Sequence, residues 1–359
     1  MFGLKKEEIA HRDLLVYLWA KFVSNTGYRF FSRPHLENPY DLKKLKKENA
    51  VFLYTALHKS LWETSGVMSS IYLQKLPTPY IGMGDNLVKG KFFQKLAAKT
   101  GAFLVKRAKT RKDVLESSIK LKQYIVYYMA HGIDVSIFPE GTRRNIPDKR
   151  KYGNFFPTAF EAVLEYEKNK EKFLAEYKEL SAHDVYIVPF NVDYSKVRED
   201  YELIRELDGK PHTLHILDSL KMIRHLGDLY ISFGEPIKIA DHLDQNRKEL
   251  AVYTREKCLE LVKILPINIV SWAVLNAYEI GRLDRDKILD CIRENIEKLA
   301  GFKDRFRGFE PGESPGDILD KVARYEKIFR DISSIHLPFY RLYADYINHY
   351  INKNDDDEK

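Results

Sequence analysis

Cysteine is almost missing from this 359-residue chain, which contains only Cys258 and Cys291. Both lie in segments with helical spacing, and their separation matches neither a disulfide framework nor a common metal-ligand motif. The sequence therefore predicts a fold without disulfides, no structural metal, and a reducing compartment.

Long apolar runs are missing as well, because none reaches the ~20 residues needed to span a bilayer. The two partial stretches are Leu14–Val23 and Ile264–Tyr278, which contain Trp19 and Trp272. Each is either a core helix or a helix lying in the headgroup layer. Three acidic side chains within residues 7–13 occupy the place of a signal-peptide apolar core, so we expect no secretory signal.

Acidic residues are outnumbered by basic ones, with 52 Asp and Glu against 59 Lys and Arg and a net charge of +7. This excess favours an anionic partner, such as a phosphate, an acidic lipid surface, an acidic carrier protein or nucleic acid. Nucleic acid is disfavoured, because the basic residues alternate with acids and no groove-reading motif occurs.

Short segments rich in β-branched and aromatic residues predict strands that alternate with segments of helical spacing. The clearest helical segment is Val114–Met129. This alternation predicts an α/β domain with a central mixed sheet flanked by helices. The predicted strands are Val51–Leu57, Pro79–Met83, Ala102–Val105, Val135–Phe138, Tyr186–Val192 and Leu229–Phe233.

Three regions follow from these patterns. Residues 1–44 are predicted as an N-terminal helical, membrane-proximal segment, with a helix over residues 7–25 and a polar linker after it. Residues 45–240 form the α/β domain. Residues 241–359 form an all-helical C-terminal region that ends in a disordered acidic tail. The helices predicted there are Glu249–Val262, Asn268–Gly281, Asp284–Leu299 and Gly316–Ser333.

A histidine directly follows the first predicted strand of the α/β domain, in the sequence His58-Lys59-Ser60-Leu61-Trp62-Glu63. A carboxylate five residues on can turn back to the imidazole if a helix begins there, fixing its tautomer for base catalysis. The alternative is a solvated histidine, because this spacing also occurs by chance.

Two further strand ends carry charged residues. Ala102–Val105 runs into Lys106 and Arg107, a pair that can hold a phosphate or simply face water. Val135–Phe138 runs into Pro139-Glu140-Gly141-Thr142-Arg143, where the glycine permits close backbone approach to a ligand. A fourth block, Ile187-Val188-Pro189-Phe190, is predicted as an edge strand or a strand end because of its proline.

In this order and spacing, the four blocks resemble those of the glycerophospholipid acyltransferase superfamily: His-x4-Asp, Gly-x-x-Phe-x-x-Arg, Phe-Pro-Glu-Gly-Thr-Arg and Val-Pro. Additional elements resemble the glycerol-3-phosphate and dihydroxyacetone-phosphate branch. The first block departs from the family in having Glu63 for Asp, and the second has Leu104 for Phe. The branch-like elements are Gly84-Asp85-Asn86-Leu87, Val188–Val197, Gly234–Ile237 and the helical extension around Pro266–Tyr278.

The resemblance implies an O-acyltransferase that moves a fatty acyl group from acyl-CoA or acyl carrier protein to the sn-1 hydroxyl of glycerol-3-phosphate in phospholipid biosynthesis. It implies no cofactor beyond that acyl co-substrate, no metal, and a peripheral location at the cytoplasmic face of an anionic membrane. In this scheme His58 is the general base and Glu63 orients it. The other implied site residues are Glu140, Gly141 and Thr142 for catalysis, and Asn86, Lys106, Arg107, Arg143 and Pro189 for substrate binding.

Two alternatives stay open from the sequence. Within the enzyme class, the acceptor could be the second hydroxyl of 1-acylglycerol-3-phosphate (lysophosphatidate). Outside it, the chain could be a catalytically silent module that binds lipid or an acyl carrier, because Glu63 replaces the family's Asp.

Overall fold

The computed structural model describes residues 13–30, 33–60, 63–85, 91–106, 110–141, 154–176, 180–197, 200–207 and 227–351. The strands are β1 (Arg33–Glu37), β2 (Ala50–Ala56), β3 (Tyr80–Gly84), β4 (Ala102–Val105), β5 (Val135–Ile137), β6 (Asp184–Tyr194), β7 (Asp228–Phe233) and β8 (Ile237–Lys238). The helices of the first part of the chain are α1 (Asp13–Phe30), α2 (Leu42–Lys47), α3 (Glu63–Leu73), α4 (Lys91–Lys99), α5 (Arg111–Ala130), α6 (Thr158–Glu176) and α7 (Asp200–Leu207). Those that follow the sheet are α8 (Arg247–Leu259), α9 (Pro266–Glu279), α10 (Arg285–Lys298), α11 (Pro315–Tyr325) and α12 (Leu337–Ala344).

One mixed sheet contains the eight described strands in the order β1-β7-β6-β2-β5-β3-β4, with β8 pairing beside β7 on β6. Strands β2 to β6 are parallel where they pair, whereas β7 and β8 run antiparallel to β6. The predicted fold class is confirmed. Because β2, β5, β3 and β4 are parallel neighbours, the segments that follow them meet at one edge of the sheet.

Strand β2 lies inside the sheet, between β5 and β6, and every residue of its sequence AVFLYTA is buried. A continuous apolar run of this kind is typical of a parallel strand covered on both faces. The residues that follow β2 therefore start from a rigid, fully packed part of the molecule.

Strand β1 was not expected, because its sequence RPHLE lies in the segment predicted as N-terminal helix and linker. It pairs in parallel with β7 at the edge of the sheet, where the missing amide of Pro34 is tolerated. The N-terminal helix itself occupies Asp13–Phe30 and packs against α3. The division of the chain into three domains stays a prediction.

The two partial apolar stretches have different environments. In α1, Val16, Ala20 and Ser24 are buried, whereas the opposite side exposes an apolar surface made of Leu14, Tyr17, Leu18, Trp19 and Phe22. Within the described residues, no helix is both long and apolar enough to cross a membrane.

Helix α9, which contains most of the second apolar stretch, is a core helix. Its residues from Pro266 to Ser271, and also Ala273, Val274 and Ala277, are buried. It packs against α10, α11 and α12. The alternative of a helix lying in the headgroup layer is therefore wrong for this segment, because most of its apolar side chains are already covered by protein.

Candidate active site

His58 and Glu63 meet at the end of β2. The Nδ1 atom of His58 lies 2.8 Å from Oε2 of Glu63, and the other oxygen, Oε1, accepts the Lys59 amide at 2.7 Å. A carboxylate can only accept here, so a neutral imidazole carries its proton on Nδ1 and leaves Nε2 unprotonated. An imidazole in this tautomer can take a proton from a substrate hydroxyl at Nε2.

The extra methylene of Glu63 is accommodated by the backbone. Glu63 is the first residue of α3 and is fully buried, while the side chain of His58 is 14% exposed. A carboxylate in the first turn of a helix is also favoured by the helix dipole. The backbone therefore compensates for the extra length of the glutamate side chain.

The Phe138–Gly141 turn, after β5, packs against the histidine. The Phe138 ring stacks on the imidazole with centroids 4.5 Å apart, and Oε1 of Glu140 accepts the His58 amide at 3.2 Å. Glu140 is buried, so it fixes the backbone of the histidine from the neighbouring strand.

Gly141 adopts a positive φ of 70°, which a glycine accommodates without strain. Its amide donates to the carbonyl of Phe138 at 3.1 Å and closes the turn. That amide is therefore engaged, and it could face an oxyanion only if this hydrogen bond were exchanged.

Lys106 follows β4, at the same sheet edge as His58. Strands β2 and β4 are separated by β5 and β3, so the two strand ends lie three spacings, roughly 14 Å, apart. The Lys106 Nζ atom is 2.8 Å from Oδ1 of Asp113, and this hydrogen bond raises the pKa of the lysine. The Lys106 side chain is more than half exposed, so an anionic ligand can reach it.

Four predicted site residues, Asn86, Arg107, Thr142 and Arg143, lie outside the described residues. Their roles stay predictions.

Pro189 lies inside the sheet, so the prediction of an edge strand or a strand end is wrong. Strand β6 pairs with β2 on one side, and Pro189 is opposite Thr55. On the other side it falls between Ile187, which pairs with β8, and Phe190, which pairs with β7. The proline is tolerated because this side of the ladder changes partner at its position, with Gly234 donating to the Pro189 carbonyl at 2.8 Å.

Two charged residues next to the histidine were not predicted from the sequence. Lys59 is buried directly after His58, and its ammonium forms an ion pair with Asp193 of β6, which is also buried. From the sequence alone, a lysine beside other charged residues is expected to face solvent. The polar residues Asn191 and Asp193 within an otherwise apolar strand were the available signal, but they do not identify the partner.

A family model and several sequence relatives match this chain. Residues 40–193 match the family model described as Acyltransferase. A glycerol-3-phosphate acyltransferase of Hamiltonella defensa subsp. Acyrthosiphon pisum (strain 5AT) is 27% identical over 227 residues, which are 61% of this chain and 25% of that protein. One of Pasteurella multocida (strain Pm70) is 23% identical over 345 residues, 88% of this chain and 39% of that protein.

A solved structure, the 1-acyl-sn-glycerophosphate (LPA) acyltransferase PlsC from Thermotoga maritima, is 14% identical. Its TM-score is 0.39, and the alignment covers 66% of this chain and 75% of that one. The chain spans between 24% and 39% of the length of the curated relatives it matches.

The family match spans His58, Glu63, Lys106, Glu140, Gly141 and Pro189, and so includes the residues that meet at the end of β2. The resemblance to the glycerol-3-phosphate branch is confirmed by the sequence relatives. The chain is therefore similar to this acyltransferase family over residues 40–193, and to glycerol-3-phosphate acyltransferases over as much as 88% of its length.

Proposed function

We propose that this chain transfers a fatty acyl group from a thioester, acyl-CoA or acyl carrier protein, to the sn-1 hydroxyl of glycerol-3-phosphate in phospholipid biosynthesis. The observation that carries the proposal is the contact of His58 Nδ1 with the buried Glu63, which leaves Nε2 free as a base. The names of the sequence relatives support the choice of acceptor.

In the proposed reaction, Nε2 of His58 takes the proton of the acceptor hydroxyl as its oxygen attacks the thioester carbonyl. The resulting imidazolium is stabilised by the Glu63 carboxylate. Collapse of the tetrahedral intermediate breaks the C–S bond, and the departing thiolate receives the proton from Nε2. The products are 1-acylglycerol-3-phosphate and a free thiol, and the protein needs no cofactor of its own.

The acceptor phosphate is proposed to bind Lys106, Arg107 and Arg143, with Asn86 nearby. For this, Lys106 must exchange its contact with Asp113 for the phosphate. An exposed ion pair contributes little because solvent screens it, so a phosphate dianion can replace it at little cost. Thr142 is proposed to supply the amide for the oxyanion, because the Gly141 amide is engaged in the turn.

The test of catalysis is the His58→Ala variant. We expect kcat to fall at least about a hundredfold, because a positioned general base contributes roughly 10²–10⁴-fold. Transfer of labelled acyl groups from both thioesters to glycerol-3-phosphate and to 1-acylglycerol-3-phosphate is measured in parallel, with glycerol-3-phosphate binding as the control. Near-native turnover of His58→Ala would show that His58 is not the base. Transfer only to 1-acylglycerol-3-phosphate would show that this lipid, and not glycerol-3-phosphate, is the acceptor. Donor binding without transfer by the wild type would indicate a silent binding module.

The same proposal places the protein peripherally on an anionic membrane through the exposed apolar surface of α1. Exposed contiguous apolar side chains of this kind are typical of interaction sites. We expect Leu14→Ser with Phe22→Ser to weaken sedimentation with phosphatidylglycerol vesicles by roughly tenfold or more, since each buried side chain contributes ~1.5–3 kcal/mol. The matched control is Ile280→Ser with Ile335→Ser, which removes two equally exposed apolar side chains elsewhere. Equal losses in both double variants would refute a specific role of α1.

A further inference from the structure

Lys59 is a fully buried cation whose backbone adjoins the proposed base. Its Nζ atom is 2.9 Å from the Asn191 side-chain oxygen and 3.2 Å from the Val192 carbonyl, and it forms an ion pair with Asp193. These acceptors all belong to β6, which pairs with β2. The side chain thus connects the segment after β2 to the neighbouring strand.

The Asp193 carboxylate extends this connection into the C-terminal region. Its Oδ2 atom accepts the backbone amide of Lys263 at 2.8 Å. Lys263 lies between α8 and α9, and its own ammonium is 2.6 Å from a carboxylate oxygen of Glu37. The ring of Tyr346, from the end of the C-terminal region, lies 5.7 Å from Nζ of Lys59. Residues distant in sequence therefore converge on the position next to His58.

Stability alone does not account for this ion pair. A buried ion pair usually contributes less than well-packed apolar residues of the same size, because both charges lose their hydration. What distinguishes Lys59 is its backbone amide, which donates to Glu63 Oε1 while the other oxygen of that carboxylate contacts His58. A rotation of the Lys59 peptide would therefore displace the group that orients the imidazole.

We propose that Lys59 and Asp193 are positioning residues, which hold His58 in contact with Glu63 and through which the C-terminal helical region takes part in placing the base. This inference rests on the proposed acyl transfer. It assigns no contact with substrate to either residue.

The experiment compares Lys59→Met with Lys46→Met in the full-length chain. Lys46 lies just before β2 and forms an ion pair of 2.8 Å with Asp134, whose side chain is fully buried. Both variants leave a buried carboxylate without its cation, but at opposite ends of the same strand. We expect both to lower the Tm. Only Lys59→Met should lower kcat, by roughly a hundredfold, since a displacement of about 1 Å can cost that much. The KM for glycerol-3-phosphate should change less than about threefold, because no phosphate contact is removed.

The double variant Lys59→Met/Asp193→Asn separates positioning from stability. Removing both charges takes away the unpaired carboxylate, so the double variant should regain much of the Tm lost by Lys59→Met. Its kcat should stay low, because the connection to β6 is still missing. If kcat returns together with the Tm, or if Lys46→Met loses as much kcat as Lys59→Met, the inference is wrong. If Lys59→Met does not fold, the kcat values of the double variant and of Asp193→Asn alone test the inference.

A second readout does not depend on turnover. The Nδ1–H proton held by Glu63 should give a low-field NMR resonance, identified by its loss in His58→Ala. We expect it to persist in Lys46→Met and to disappear or shift in Lys59→Met. A wild type that shows this resonance but transfers no acyl group would refute the proposed function alone. An unchanged resonance in Lys59→Met would refute the positioning role.

Discussion

Replacing Glu63 with glutamine tests the histidine–carboxylate pair with almost no change in shape. The carboxylate accepts two hydrogen bonds, from the Lys59 amide at 2.7 Å and from His58 Nδ1 at 2.8 Å. A glutamine has one oxygen and one NH₂ group, so it can accept only one of them. With its oxygen on the Lys59 amide, its NH₂ group faces Nδ1 and selects the tautomer that carries the proton on Nε2. That imidazole cannot act as a base.

The expected magnitude follows from the loss of the correct tautomer. The corresponding change in a serine protease triad costs about 10⁴-fold in kcat. Here the isolated base is worth roughly 10²–10⁴-fold, so we expect Glu63→Gln to lower kcat within that range, which corresponds to about 3–5 kcal/mol. The assay is initial-rate acyl transfer to glycerol-3-phosphate at a saturating thioester concentration. Circular dichroism and the Tm control for folding. A Glu63→Gln variant with kcat within about threefold of the wild type would refute the reasoning.

Glu63→Asp sharpens the same test, because aspartate is the residue that the family pattern has at this position. Shortening the side chain by one methylene withdraws the carboxylate by about 1.5 Å, so the contact with Nδ1 would widen from 2.8 Å to about 4 Å if the backbone of α3 stays in place. A hydrogen bond does not persist at that separation. We therefore expect at least about a tenfold loss of kcat. Wild-type activity in Glu63→Asp would show that the backbone adapts to either acid.

Two predictions concern stability and its dependence on pH. Burial of Glu37 acts to raise its pKa, but hydrogen bonds from Arg307 and Lys263 outweigh it and lower the pKa to about 2. Glu37→Gln should therefore reduce the free energy of unfolding at pH 7 by ~1–2 kcal/mol after solvent screening. Urea titrations should show that the difference in unfolding free energy between wild type and variant narrows as the pH falls from about 4.5 toward 2. A difference that does not change with pH would contradict this prediction. Burial raises the pKa of Asp200 to about 7, although the Tyr343 hydroxyl donates to it. The unfolded state then binds fewer protons than the folded state between about pH 4 and pH 7, so the free energy of unfolding of the wild type should fall by about 3 kcal/mol from pH 5 to pH 8. Asp200→Asn should flatten this dependence on pH. Parallel slopes for the two proteins would refute the prediction.

The sequence predicted those parts of the site in which neighbouring residues cooperate. A histidine after a buried strand and an acid five residues later meet if a helix begins at the acid, and α3 begins at Glu63. The strands β2 to β7 were placed within about two residues of their bounds, because each is a short apolar segment between breaking residues. Gly141 has a positive φ, which a glycine accommodates without strain, but its proposed part in the site stays a prediction.

The parts that depend on strand order were not predictable. Strand β1 has a proline and charged ends, and it forms because it pairs with the backbone of β7. Pro189 suggested an edge strand, yet the ladder on one side of β6 changes partner at that residue and accepts it. The pairing of Lys59 with a carboxylate 134 residues away requires the contact of β2 with β6, which no local pattern reveals.

The position of Asp193 bears on how the C-terminal helices relate to the catalytic residues. The family match ends at this residue, whereas the similarity to the Pasteurella multocida relative extends over 345 residues. The Asp193 carboxylate receives the Lys59 ammonium from the loop that holds the base and the Lys263 amide from the helical region. Without residues 241–351, this carboxylate would lose the amide, and the buried Cys258 of α8 would no longer cover Thr55 of β2. The helical region thus packs against β2, the strand that ends just before His58. On the proposed function, it helps to hold the base in position.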